Sequence, residues 1–171
     1  MASSKEQLLA LYNAANPNLP HPATLDDIEI YDNPMMGSPD PNKWNTMSYL
    51  TAKEESLYFA GSMTIYYNRV PSGITDDAWN SSNPERWDDD AYVLDQMNAR
   101  LQQTWPDDAF TAQELTIGRS ETEDGRLVVM VSIANSIKFL PPDNGHLGFT
   151  YTITPKVRDL GRLDGELDGF N

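Results

Sequence analysis

Two histidines, 26 side-chain carboxylates and no cysteine set the chemistry open to this chain of 171 residues. The missing cysteines exclude a thiolate nucleophile and a disulfide framework. His21 lies between two prolines, and His146 follows Asn144-Gly145 at the start of an alternating stretch. Neither has a metal-ligand spacing such as HExxH, so both read as exposed loop histidines. No GxSxG elbow marks a nucleophile, and no GxxxxGK[ST] or GxGxxG marks a phosphate cradle. A glycosidase needs two carboxylates about 5–10 Å apart, and the sequence singles out no pair. The acids are densest in residues 76–90, where Asp76, Asp77, Glu85, Asp88, Asp89 and Asp90 stand against Arg86. This stretch reads as a solvated loop entering a helix. The sharper alternative is a Ca²⁺ site, since that ion takes oxygen ligands, but the spacing fits no EF-hand loop and the loop lacks its glycine. Tyr66, Tyr67, Trp79, Trp87 and Trp105 either pack the core or line a sugar-binding face. The expectation is a protein that is not an enzyme, with no catalytic residue, metal ligand or cofactor.

The elements that must position these groups are announced by an internal similarity. LLALYNAANPNLPHPATLDDIEI, residues 8–30, and LDQMNARLQQTWPDDAFTAQELTI, residues 94–117, align with Asn13 on Asn98 and Thr24 on Thr111. Asp27 then matches Glu114, Ile28 matches Leu115 and Ile30 matches Ile117. Such self-similarity points to architecture before chemistry. Leu8, Leu11, Tyr12 and Ala15 share one face of a first helix, and Ser4 with Gln7 fits a capping box. Val93, Met97 and Leu101 form the stripe of a second helix, whose start carries Asp88 to Asp90 at the positive end of the dipole. Each copy continues through a Thr-capped turn, Thr24 to Asp27 and Thr111 to Glu114, into period-two alternation.

Further strands are expected at 63–67, at 127–133 as an apolar run buried on both faces, and at 147–154. Glu123-Asp124-Gly125 predicts a hairpin joining 115–121 to 127–133. The fold class is α+β: a mostly antiparallel sheet with two amphipathic helices, built from two helix–capped turn–strand half-repeats at about 8–30 and 94–117. Residues 1–155 form a single domain and 156–171 a C-terminal arm.

Hydrophobic residues make up 39% of the chain, enough for a core. No apolar run approaches membrane-spanning length, and MASSKEQLLALYN lacks the basic start and apolar block of a secretory signal. The net charge of −14 argues against nucleic acid, whose phosphates require clustered Lys and Arg. Residues 31–61 read as a long irregular loop, in which Met35, Met36 and Trp44 either anchor the loop or meet a partner. In the arm, Leu160, Leu163, Leu167 and Phe170 are candidate partner contacts. Arg69 is expected to pair with an acid inside the fold.

LLALYNAANPNL, TLDDIEI, GSMTIYYNRV and LDGELDGFN together resemble a family of virion structural proteins of large tailed bacteriophages. The resemblance is carried by Leu8, Leu9, Leu11, Asn13, Asn16, Pro17, Leu19, Thr24, Asp27, Ile28, Tyr67, Asn68 and Arg69. The sequence departs from that pattern in the long 31–61 segment and in PSGITDDAWNSSNPERWDD. The resemblance implies a virion component assembled in the host cytoplasm, such as a capsid decoration or tail accessory protein. Its partners would be other virion proteins, including copies of itself, with no nucleic acid and no membrane. The alternative is a carbohydrate- or receptor-binding module of a phage tail or fibre.

Overall fold

The computed structural model describes residues 2–81, 83–143 and 147–155. Helix α1, Ser4–Ala15, opens on Ser3, whose hydroxyl accepts the Glu6 amide at 3.3 Å while the Glu6 carboxylate accepts the Ser3 amide at 2.6 Å. The box closes one residue earlier than Ser4 and Gln7 suggest, because Gln7 turns away to donate to the Ala2 carbonyl. The helix buries Leu8 and Leu9, and leaves Leu11 of the expected stripe exposed. Helix α2, Asp90–Thr104, is capped by Asp89, which accepts the Ala91 amide at 2.9 Å. It buries Val93, Met97 and Leu101, the expected stripe.

Each helix belongs to its own sheet. In the first unit, β1 (Ile28–Ile30), β2 (Met35–Met36) and β4 (Ser62–Tyr67) all pair antiparallel with a central β3 (Thr46–Ala52). In the second, β6 (Asp77–Ser81), β7 (Thr116–Glu121), β8 (Leu127–Ser132) and β10 (Gly148–Pro155) lie in the order β6-β10-β8-β7. All its pairings are antiparallel except β6 with β10. The hairpin between β7 and β8 turns at Gly125, whose φ of 77° suits a residue without Cβ. A short parallel ladder of β5 (Val70–Pro71) with β9 (Phe139–Leu140) ties the units together. The architecture is α+β and mostly antiparallel.

Three expectations are corrected. Residues 31–61 are not a structureless loop: they contain β3, the middle strand of the first sheet. Its inward residues include Thr46 and Ser48, fully enclosed, so the usual apolar alternation is missing. Their hydroxyls are satisfied locally, Thr46 donating to Asn45 Oδ1 at 2.7 Å and Ser48 to the Tyr31 carbonyl at 3.3 Å. The strand at 127–132 is buried on one face only, with Val129 and Val131 inside and Met130 exposed. The acidic stretch 76–90 is more than a solvated loop. It carries β6 and a 3-10 turn, Pro84–Asp88, that delivers Trp87 to the core with none of its surface exposed.

The apolar interior is divided between the units. The first cluster gathers Leu8, Leu9, Ala23, Ile28, Ile30 and Leu50, and receives Ile137 from the second unit. The second is larger and includes Trp87, Val93, Met97, Leu101, Phe139 and Tyr151.

Candidate interaction surface

The same hydrogen bonds fix the geometry of both units. Asn13 donates its side-chain amide to the Ala23 carbonyl at 2.9 Å and accepts the Ala23 amide at 2.8 Å. Asn98 does the same with Phe110, at 3.2 and 2.7 Å. Each asparagine thus clasps the loop leaving its helix and sets where the following strand begins. The capped turns correspond as well. The Thr24 hydroxyl donates to Asp27 at 2.8 Å, and that of Thr111 to Glu114 at 3.2 Å. Each carboxylate then holds a distant serine hydroxyl, Ser56 on Asp27 at 3.0 Å and Ser136 on Glu114 at 3.1 Å.

His21 lies 3.6 Å from Asp27 and stacks on Tyr58 with ring centroids 3.8 Å apart. This brings a serine, a carboxylate and a histidine together, but with Asp27 in the middle. A nucleophilic triad needs the imidazole between hydroxyl and carboxylate. Asp27 is held below its ordinary pKa of 3.8, first by the Thr24 hydroxyl, then by Ser56 and by nearby His21, against the opposing effect of burial. The group therefore acts as a structural anion that pins two turns. His146 lies outside the described residues.

Arg69 meets no acid among the described residues. It is almost wholly enclosed, with Nε donating to Thr46 Oγ1 at 3.0 Å and Nη1 to the carbonyls of Ala134 at 3.1 Å and Ser136 at 3.0 Å. Burial lowers its pKa. The first unit thus uses a cation to grip a turn of the second by its carbonyl oxygens. Beside it, burial raises Tyr67 to about 12.

With the scaffold fixed, the outward face of the first sheet follows from register. Met35 lies opposite Met47, and Met47 opposite Tyr66. Tyr49 lies opposite Thr64 and bonds through its carbonyl to the Tyr31 amide at 3.0 Å. Alternation places Met47 and Tyr49 on the same side of β3. Tyr31 meets Tyr49 edge-on at 6.0 Å, and Trp44 leans on Tyr66 at 5.7 Å with the Lys43 ammonium 4.3 Å from its indole. Met36 is 61% exposed and Met35 37%. Met35 and Trp44, singled out from the sequence, therefore border one aromatic and thioether surface, whereas exposed Met36, opposite inward-facing Thr46, lies on the other side of the strand. Tyr31, Met47 and Tyr49 were not singled out, and Tyr66 was named only among the five aromatics read as core or sugar-binding face. The signal for Met47 and Tyr49 was the alternation in TMSYLTA, hidden behind a stretch rich in Pro, Gly and Asp. Leu160, Leu163, Leu167 and Phe170 lie outside the described residues.

The five aromatic residues grouped from the sequence are not gathered on one face. Trp87 is enclosed, the Trp79 indole N–H is bound to Asp77 at 2.8 Å, and that of Trp105 donates to the Pro71 carbonyl at 3.2 Å. No group of histidine, aspartate and glutamate able to hold a metal ion occurs among the described residues. No helix among them is long and apolar enough to cross a membrane.

No curated protein and no solved structure matches the chain. Residues 1–74, the segment that holds α1 and β1 to β5, match a family of unknown function (DUF7941).

Proposed function

We propose that the protein is a non-enzymatic structural component of a tailed-bacteriophage particle, a capsid decoration or accessory protein that works by docking. The observation that carries this reading is the outward face of the first sheet. On a chain of net charge −14, Tyr31, Met35, Met47, Tyr49 and Tyr66 make an uncharged patch of rings and thioethers. Aromatic residues and Met are enriched where proteins meet, and charged residues are depleted there. The resemblance of LLALYNAANPNL, TLDDIEI and GSMTIYYNRV to phage virion proteins supports the same reading. On this reading the chain is two half-repeats of one helix–sheet unit, with the interaction surface developed on the first. Acidic residues elsewhere steer orientation and exclude unsuitable partners.

The carbohydrate-binding alternative depends on exposed tryptophans, and the enclosure of Trp87 removes its best platform.

The test is particle occupancy of two full-length variants. Tyr49→Glu changes the first face and Met130→Glu the matching position of the second, and both side chains are exposed. Tyr49→Glu is expected to lower occupancy at least about tenfold, as for a central interface residue, with Met130→Glu unchanged. Equal occupancy of the two, or absence of the wild-type chain from purified particles, refutes the proposal.

A further inference from the structure

The two sheets finish corresponding edges differently. In the first, β4 pairs only with β3, so its other side is an edge. The Ala52 amide bonds the Gly61 carbonyl at 2.8 Å, and bonded pairs alternate along an antiparallel ladder. Met63, Ile65 and Tyr67 therefore turn their backbone groups to β3, while Ser62, Thr64 and Tyr66 turn theirs to the edge. Among the described residues no hydrogen bond reaches those outward amides and carbonyls.

In the second sheet the same edge is covered. Thr150, opposite Met130 as Thr64 is opposite Tyr49, gives its amide to the Asp76 carboxylate at 2.7 Å. Thr152 and Thr154 lie in the ladder with β6. The first unit has no counterpart of β6 among the described residues. The side chains record the lack. Phe149, which matches Met63 on the core side, is 4% exposed, and Met63 is 46% exposed. Tyr151 is enclosed, where the matching Ile65 is half-buried.

β4 also lacks the usual defence of a sheet edge, which is charge. Of the other edge strands longer than two residues, β1 carries Glu29, β6 carries Asp77, and β7 carries Arg119 and Glu121. SMTIYY carries no charge. This selects the partner. A foreign protein drawn to a chain of net charge −14 would be basic, and would find its acids at β1 and β6. Two copies of the chain repel where acids face acids, and β4 is an edge along which none do.

We propose that β4 pairs antiparallel with β4 of a second copy, joining two first sheets into one across a twofold axis at Thr64. The outward groups set the register. Thr64 meets Thr64, and Ser62 meets Tyr66, so each outward amide finds a carbonyl. On the core side Met63 comes beside Ile65 of the other copy and is covered, as Phe149 already is in the second unit. The α1 helices of both copies lie on that side, where Leu11, 65% exposed, lines a hollow with Tyr67. The contact is isologous and closes at two chains. It uses the edge of the sheet and not its outward face, so it stands apart from the particle reading.

The test is analytical ultracentrifugation of the full-length chain over a range of concentrations. Wild type is expected to form a dimer. Thr64→Pro removes an amide that β3 does not use, the placement in which a sheet edge tolerates proline. It deletes two bonds across the axis and is expected to weaken the dimer at least about tenfold. Met63→Glu alters an exposed side chain, reads the same contact from the core side, and takes over should Thr64→Pro fail to fold. It is expected to weaken the dimer by a similar factor. Tyr31→Glu, on the outward face and away from the edge, is expected to leave the dimer intact. A wild-type monomer at millimolar concentration overturns the proposal. So does a dimer that folded Thr64→Pro or Met63→Glu forms equally well, or one that Tyr31→Glu abolishes. Amide hydrogen exchange reads the edge itself: Thr64 and Tyr66 should exchange slowly in the dimer and fast on dilution. Slow exchange in the monomer would mean that another part of the same chain covers the edge, and would equally overturn the pairing.

Discussion

The two sheets share a pairing pattern and differ in what they turn outward. Glu29 lies opposite Thr51 in the first and Thr116 opposite Ser132 in the second. Counting from these pairs, Tyr31 corresponds to Gly118, Tyr49 to Met130, Met47 to Val128 and Tyr66 to Thr152. Some inward positions stay apolar in both, Leu50 matching Val131 and Ile65 matching Tyr151, while inward Ser48 of the first matches Val129 of the second. Inward residues answer to close packing, where one methylene is felt. Outward residues answer only to strand propensity and to whatever lies against them. The second sheet meets the first demand alone, with Thr150 and Thr152, β-branched residues that favour strands. The first carries three rings and two thioethers beyond that demand, where the second turns out the single thioether of Met130.

The comparison breaks first at two enclosed side chains, Trp87 in the second core and Ile137 in the first. Trp87→Ala is expected to cost about 3–5 kcal/mol and Ile137→Ala about 2–5 kcal/mol, typical of enclosed side chains of their size. Urea denaturation of both variants checks this. A silent Ile137→Ala would mean that the turn merely rests on the first core.

The clasps come next. Asn13→Ala and Asn98→Ala each leave a backbone amide and carbonyl without their side-chain partner, at about 1–3 kcal/mol. Similar losses in denaturation experiments would sharpen the comparison. A loss confined to one unit would show that the shared bonds hold unequal loads.

How far sequence reaches is visible in the same residues. The alignment set Asn13 on Asn98, and the two make the same clasp, although the bonds themselves were not read from the sequence. The helices, the hairpin and the last strand were legible from periodicity and from Asp-Gly. β3 was not, since Thr46 and Ser48 occupy inward positions and owe their burial to hydrogen bonds that no pattern displays. The enclosure of Trp87 was masked by the acids around it. Of the candidate surface, Met35 and Trp44 were legible by residue type, whereas Met47 and Tyr49 joined them only through β3, and Met36 falls on the other side of its strand.

Acid sharpens the contrast further. In the first unit Asp27 is held below 3.8, chiefly by Thr24. In the second, Asp77 is held below the same value by the Trp79 indole, the Ala78 amide and Arg100, in that order. A depressed folded pKa gives stability that is complete above the unfolded value and is lost as pH falls through the folded one. Asp27→Asn and Asp77→Asn should each flatten part of the fall of Tm that sets in as pH drops below 3.8. An unchanged slope in either variant would mean that its carboxylate is not selectively bound in the folded state.

The smallest effect tests orientation within one ion pair. Lys5 in the first turn of α1 meets Asp32; Asp90 in the first turn of α2 meets Arg119. The charges are reversed between units, and only the second arrangement agrees with the positive end of its helix dipole. Lys5→Asp together with Asp32→Arg keeps a pair but gives it the sense found in the second unit. The double variant should gain about 0.3–1 kcal/mol from the dipole. Either single variant should lose about 0.2–1 kcal/mol, the scale of an exposed pair. The reverse exchange at Asp90 and Arg119 should cost more than the forward one gains, because Arg119 also donates to the Trp87 carbonyl. Equal and opposite changes in the two units would show that the pair at α2 does nothing to hold Trp87 in place.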